Sequence, residues 1–287
     1  MVSVPQNLQQ KGSPDSTAVT FRWSDIVWFG VLLAVCYAPV LQSLVRQWSN
    51  DEDMSHGFFV PVIAAFIAWQ KRGELLSSPA SANRWGLAVV AIGALQLFLA
   101  TLGAELFVAR TAFLVTLIGI ILYMGGTRSV QLLAFPFFLM FFMVPIPAII
   151  YNQITFPLQL LASRMAEAIL MFIGTPVFRE GNILELASQR LSVAEACSGI
   201  RSLLSLSFLS LVYAYFFDKK VWMRPLLLVA TVPIAIAANA SRVTVTGLLS
   251  TYNPRLAEGF FHGASGWVIF MAALVILIAF HQLVEKI

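Results

Sequence analysis

The stretch EACSGIRSLLSLSFLSLVYAYFF, Glu195 to Phe217, joins a polar segment to an apolar run long enough to cross a bilayer, and it puts one cysteine, Cys197, at the junction. A helix amino terminus offers unpaired backbone N–H groups and the positive end of the helix dipole, both of which favour a thiolate. Arg201, one turn further on, adds a formal positive charge. A thiol in such a place is a candidate nucleophile; the plainer reading is a small residue packed at a helix end.

Working outward, the whole chain is built of such runs. Hydrophobic residues make up 59% and charged residues 11% of the 287 positions, with a mean hydropathy of +0.83, which excludes a soluble domain and defines a polytopic membrane protein whose partner is the lipid bilayer. Residues 1–24 read as a polar cytoplasmic tail, too long and too weakly basic for a signal peptide, so the first apolar run is a retained anchor. Residues 25–287 read as one polytopic membrane domain. The net charge of +4 is accounted for by basic helix ends and calls for no nucleic acid. Cys36 reads as mid-span and Cys197 as a helix end, so the two thiols are expected to be unpaired.

Hydropathy predicts an all-α integral membrane protein with about eight transmembrane helices, at roughly 26–45, 57–70, 85–103, 106–124, 129–149, 197–217, 225–249 and 265–283. The second is short for a crossing. A further stretch, 154–173, carries Arg164 and Glu167 among Leu158, Leu161, Met165, Ile169 and Phe172 at helical spacing, which predicts one interfacial helix. With that stretch not crossing, Lys11, Arg22, Lys71, Arg72, Arg84, Arg128, Lys219, Lys220, Arg224 and Lys286 share one side. The other side receives Arg46, Arg179, Arg190 and Arg255 with the acidic run Asp51, Glu52, Asp53, so both termini are expected in the cytoplasm. Short Val/Phe and Ile/Leu runs around Glu180-Gly181-Asn182 predict a small outer-face hairpin.

Under this topology three groups approach the outer surface: Cys197 at the start of the sixth span, Arg242 about two turns below the outer end of the seventh, and His262 just before the eighth. A thiol, a guanidinium and an imidazole supply a nucleophile, an anion stabiliser and a proton carrier. A cation within a span is costly unless paired, hydrated or used. Asn239, three residues before Arg242, is placed to orient it or line the same polar pocket, and His56 in DEDMSHGFFVP lies on the same side as a supporting or substrate-contacting group. His281 lies at the opposite end of the last helix and reads as structural. Gly263-Ala264-Ser265-Gly266 matches the GxSG of rhomboid proteases, but His281 is roughly 24 Å along the same helix from Ser265, too far to activate it. There is no HExxH, no glycine-rich phosphate loop and no full set of metal ligands, so neither metal nor cofactor is expected.

The motifs VAEACSGIRSL (Val193 to Leu203), ANASRVTVTGLL (Ala238 to Leu249) and FHGASGWVIF (Phe261 to Phe270), with SHGFFVP (Ser55 to Pro61) and FPLQLLASR (Phe156 to Arg164), resemble the exosortase/archaeosortase family of membrane-embedded cysteine transpeptidases. The resemblance implies that Cys197 is the nucleophile, Arg242 the essential arginine and His262 the third catalytic residue, as in the exosortase branch. It implies a bacterial inner-membrane enzyme whose active site faces outward. Its substrates would be membrane-anchored proteins with a carboxy-terminal sorting signal: a Pro-Glu-Pro type motif, a transmembrane helix and a basic tail. Their product would pass through a thioester to an envelope acceptor, in the company of exopolysaccharide or envelope assembly partners. The alternatives are a transporter, with Arg242 and Asn239 lining a polar path, and a scaffold in an envelope assembly system; no internal repeat supports the first.

Overall fold

The computed structural model describes residues 23–77, 83–187, 189–193, 199–218, 220–253 and 259–286; at residues 23, 25, 26, 199 and 259–263 it describes the backbone alone. The helices are α1 (Trp23–Cys36), α2 (Ala38–Asn50), α3 (Phe59–Gln70), α4 (Arg72–Ser77), α5 (Trp85–Leu102), α6 (Leu106–Leu132), α7 (Ala134–Met140), α8 (Ala148–Phe172), α9 (Gly199–Phe217), α10 (Met223–Tyr252) and α11 (Gly259–Glu285). Strands β1 (Val177–Glu180), β2 (Ile183–Leu186) and β3 (Arg190–Ser192) lie between α8 and α9. Among the described residues six helices are long and apolar enough to cross a membrane, or seven if the bent pair α1–α2 counts as one. The protein is thus an all-α, multi-pass membrane protein with a small sheet.

The expectation of eight spans plus an interfacial helix is corrected in three places. Stretch 57–70 holds only the 12-residue α3. The expected 129–149 span is divided, because α6 continues to Leu132 and the apolar helix that follows, Ala134–Met143, is short. Pro145 and Pro147 come directly after it, and each lacks the N–H needed to continue a helix. Residues 154–172 belong to a continuous 25-residue helix that starts at Ala148 and is long and apolar enough to cross a membrane.

The face that α8 buries differs from the one its apolar spacing predicts, for a physical reason. Its buried face is the small-residue row Ala162, Ser163, Ala166 with Leu170, while Leu161, Met171 and Phe172 face outward, Phe172 at 91% exposure. Helices in lipid gain little from burying large apolar groups against one another, and small residues instead let their backbones approach. Cys36 is the last residue of α1 and exposed; there the path bends by 72° into α2, whose second residue is Pro39.

The described residues form two compact units: one within Met1–Leu41 and Ile63–Phe138, the other within Gln42–Val62 and Leu139–Ile287. In the first, α5 and α6 pair closely through Gly86, Gly93 and Ala100 facing Ala109, Ala112, Thr116 and Gly119. The Tyr37 hydroxyl donates to the Ala112 carbonyl (3.2 Å) and meets Thr116 Oγ1 (2.6 Å), tying the end of α1 to that pair.

In the second unit β1, β2 and β3 form an antiparallel meander in which Val177 faces Leu186 and Ile183 faces Ser192. The predicted hairpin is present, and a third strand extends it. Gly181, at φ +62°, takes the left-handed conformation that the tight β1–β2 turn requires. The sheet's inner residues Leu184, Leu186, Leu191 and Val193 pack with Ala162, Ala166 and Leu170 of α8 and Val243 of α10.

A Cβ at Gly86 would overlap the backbone of Tyr123, whereas one at Gly30 on α1 would meet nothing within 4 Å. Gly86→Ala should therefore destabilise the protein by about 1–3 kcal/mol, and Gly30→Ala should not. Thermal unfolding of both variants in one detergent measures this, and equal midpoints would show that the α5–α6 spacing is not tight.

Candidate functional site

Arg242 sits on α10 ten residues before its end at Tyr252, about 15 Å from that end, deeper than the two turns expected. It is half-buried. Its guanidinium lies against α11 at Gly266: a Cβ there would stand 3.0 Å from Arg242 Cζ and 3.1 Å from Nη2. The bare glycine backbone is what admits the planar group between the helices. Position 262 lies one turn, roughly 6 Å, before Gly266 on the same face of α11, so the helix carries that position on the side that meets Arg242. The GASG pattern therefore does have a structural use, as a seat for the arginine.

Asn239 is buried one turn before Arg242 and lines a cavity of about 10 Å³ with Leu158 of α8, Leu203 of α9, and Val232, Ala235 and Ile236 of α10. That space holds about one water. Because Leu203 and Asn239 share it, Arg201 and Arg242 stand at the same end of the antiparallel α9–α10 pair.

Arg201 belongs to a different network. Its Nε donates to Asp53 Oδ1 (2.7 Å) and its Nη1 to Glu52 Oε2 (2.8 Å), both on the 3-10 segment Glu52–Phe58 that follows α2. Tyr151 on α8 donates its hydroxyl to Asp53 Oδ2 (2.6 Å). Asp53 is only 16% exposed at its side chain, whereas Glu52 is 81% exposed, so the Asp53 pair carries most of the attachment and the Glu52 pair is screened by water. Arg201 thus shares its charge with two carboxylates as it ties the acidic segment to the first turns of α9.

His56 lies in the same segment, buried, with Nε2 3.1 Å from the Phe142 carbonyl and its ring beside Phe208 of α9. A carbonyl only accepts, so Nε2 carries the proton. The segment is held from below by Trp48, whose indole N–H donates to the Met143 carbonyl (3.0 Å) and whose ring fills the space a side chain at Gly57 would need. Sequence reasoning used Asp51, Glu52 and Asp53 only as a topological signal and passed over Tyr151. Nothing in a linear sequence links positions 53, 151 and 201.

Cys197 lies outside the described residues, and of His262 only the backbone is described. His281 is buried at the far end of α11. Its Nε2 donates to Asp218 Oδ2 (3.1 Å) and its Nδ1 meets the Tyr213 hydroxyl (3.1 Å). The Lys220 backbone N–H holds the Asp218 carboxyl below its ordinary range, so Asp218 is the anion of a structural cluster. Arg110 on α6, in the other unit, is a buried cation that the sequence reading overlooked. Among the described residues no three His, Cys, Asp or Glu side chains converge as metal ligands.

The family model for transmembrane exosortase (Exosortase_EpsH) matches residues 48–279, from the end of α2 to the last turns of α11. The chain belongs to the transmembrane exosortase family. No curated protein and no solved structure matches it.

Burial lowers the pKa of His56 below its ordinary value of 6.5, against weaker opposing pulls from the Phe142 and Asp53 carbonyls and the Asp53 charge. The unfolded chain then binds the proton more readily, so the stability this group contributes is complete above the unfolded pKa and is lost as pH falls through the folded one. Replacing His56→Gln should flatten the fall in unfolding midpoint between about pH 7 and pH 5. A slope identical to that of the unaltered protein would mean His56 does not change protonation on unfolding.

Proposed function

We propose that the protein is a membrane cysteine transpeptidase of the inner membrane that cleaves the carboxy-terminal sorting signal of exported, membrane-anchored proteins and passes them to an envelope acceptor. Family membership over residues 48–279 supports the reaction class. The observation that carries the assignment of roles is the seat of Arg242 on Gly266, one turn from position 262 on the same helix face. In this reading the site faces outward, where a substrate's motif emerges from its own transmembrane helix.

Cys197 is the nucleophile. Its thiolate sulfur attacks the scissile carbonyl carbon, and Arg242 stabilises the negative charge on the thiolate and then on the oxyanion. The C–N bond breaks as His262 gives a proton to the leaving amine, leaving an acyl thioester on Cys197. The acceptor's amine or hydroxyl, or water, then attacks the thioester carbonyl, yields its proton to His262 and releases the thiolate. Asn239 keeps the guanidinium oriented, and Arg201 with His56 holds the acidic segment beside α9. Exopolysaccharide or envelope assembly proteins are the expected partners.

The test is loss of the sorting signal from a co-expressed substrate, followed by blotting, together with a search for a thiol-sensitive enzyme–substrate adduct. Cys197→Ala should abolish both, and Cys197→Ser should be nearly as inactive, because a hydroxyl is far less acidic than a thiol. Normal processing by Cys197→Ala would remove the cysteine mechanism. Arg242→Lys should be impaired nearly as much as Arg242→Ala, since a point charge does not replace a planar fork. Gly266→Ala, which crowds the guanidinium by a few tenths of an ångström, should slow processing roughly tenfold or more while leaving the protein folded; an unaffected rate would make the seat incidental.

A further inference from the structure

Among the described residues the meander has an unpaired edge near the candidate chemistry. Val193 N–H donates to the Asn182 carbonyl (2.9 Å) and Leu186 N–H to the Gln189 carbonyl (3.0 Å), which fixes the parity of the β2–β3 ladder. Hydrogen-bonded pairs alternate along an antiparallel ladder, so Leu191 turns its N–H and C=O toward β2, and Arg190 and Ser192 turn theirs to the outer edge. Among the described residues no strand pairs with that edge. Outward-facing backbone groups of this kind are a template for another strand.

Two further observations connect the edge to the site. Leu191 and Val193 belong to one buried cluster with Val243, the residue after Arg242, so β3 and α10 share a core at the level of the arginine. Ser192 precedes Cys197 by five residues, at most about 18 Å of extended chain. The opposite edge, on β1, also meets that cluster through Val177, but it lies further from Cys197 along the chain, and there Arg179 is committed to Glu167 (2.7 Å) and the Gly181 carbonyl (3.1 Å).

We propose that the outer edge of β3 receives the substrate peptide as an added strand, its backbone pairing with Arg190 and Ser192 so that the segment is delivered extended toward Cys197 and Arg242. This rests on the sorting-signal peptidase reading and says how that substrate is held. Main-chain pairing supplies affinity in such complexes, and alternate side chains supply specificity. A Pro-Glu-Pro segment fits this edge in one register: paired residues alternate, so the glutamate, the one residue of the three with an N–H, faces β3 while both prolines face away.

Ser192→Pro deletes the outward N–H and leaves the ladder bonds of Leu191 and Val193 in place, while Ser192→Ala changes the side chain alone. With the purified enzyme in detergent and a sorting-signal substrate, Ser192→Pro should lower kcat/KM roughly 3- to 10-fold, mainly through KM, and Ser192→Ala should stay within about twofold. Hydrogen exchange is the second measurement: in Cys197→Ala enzyme, which keeps the edge unaltered, uncleaved substrate peptide should protect the amides of residues 189–193. Wild-type kinetics in Ser192→Pro, or no protection of that segment, overturns the edge proposal, and the exchange result decides if the proline variant does not fold. Failure of the underlying reading looks different, because Cys197→Ala would then still process substrate.

Discussion

Close approach of helix backbones through small residues is the constraint on which the rest of this structure depends. In lipid there is no water to expel from between helices, so association rests on van der Waals contact and on a few polar pairs. Gly86, Gly93 and Gly119 bring α5 and α6 together, Ala162 and Ala166 line the buried face of α8, and Gly266 opens α11 to a guanidinium. The same device that packs the bundle thus makes room for a cation within it. A side chain at Gly266 would push Arg242 outward, and the charge would have to find its partners elsewhere.

Around that seat the second unit is assembled from segments distant in the chain. Asp53 receives Arg201 from α9 and Tyr151 from α8 on its two oxygens, so one carboxylate joins three elements. Trp48 and His56 hold the same segment through the Met143 and Phe142 carbonyls, at a break where helical hydrogen bonding has ended and those acceptors need donors. The sheet closes the other side, packed by its leucines on α8 and α10. Rigid support from several directions is what a reaction needs if a nucleophile and an anion-binding group are to keep their spacing.

The reading of α8 shows how sequence logic changes sign in a membrane. Leu161, Met165 and Phe172 at helical spacing form an apolar stripe, which in water would mark the packed face. Here Phe172 is 91% exposed while Ala162 and Ala166 are fully buried. Arg164 and Glu167, which argued for an interfacial helix, are accommodated differently: Glu167 pairs with Arg179 of β1 at 2.7 Å, and Arg164 remains on the exposed side. Counting charges within a stretch overlooks a partner that arrives twelve residues later.

Composition and hydropathy were enough for the class of protein, because a run of some twenty apolar residues has few stable states outside a bilayer. The turn at Gly181 and its flanking strands were legible for a similarly local reason, a left-handed position between two short β-forming runs. The motifs around Cys197, Arg242 and His262 were legible as a family signature, and the family match over residues 48–279 bears out that resemblance. The number of long helices, the bend at Tyr37, the burial of the small-residue faces and the Asp53 junction were decided by tertiary structure alone. Each depends on which groups meet across long stretches of chain: whether Arg201 finds a carboxylate, or Arg242 a glycine, is set by how the helices pack.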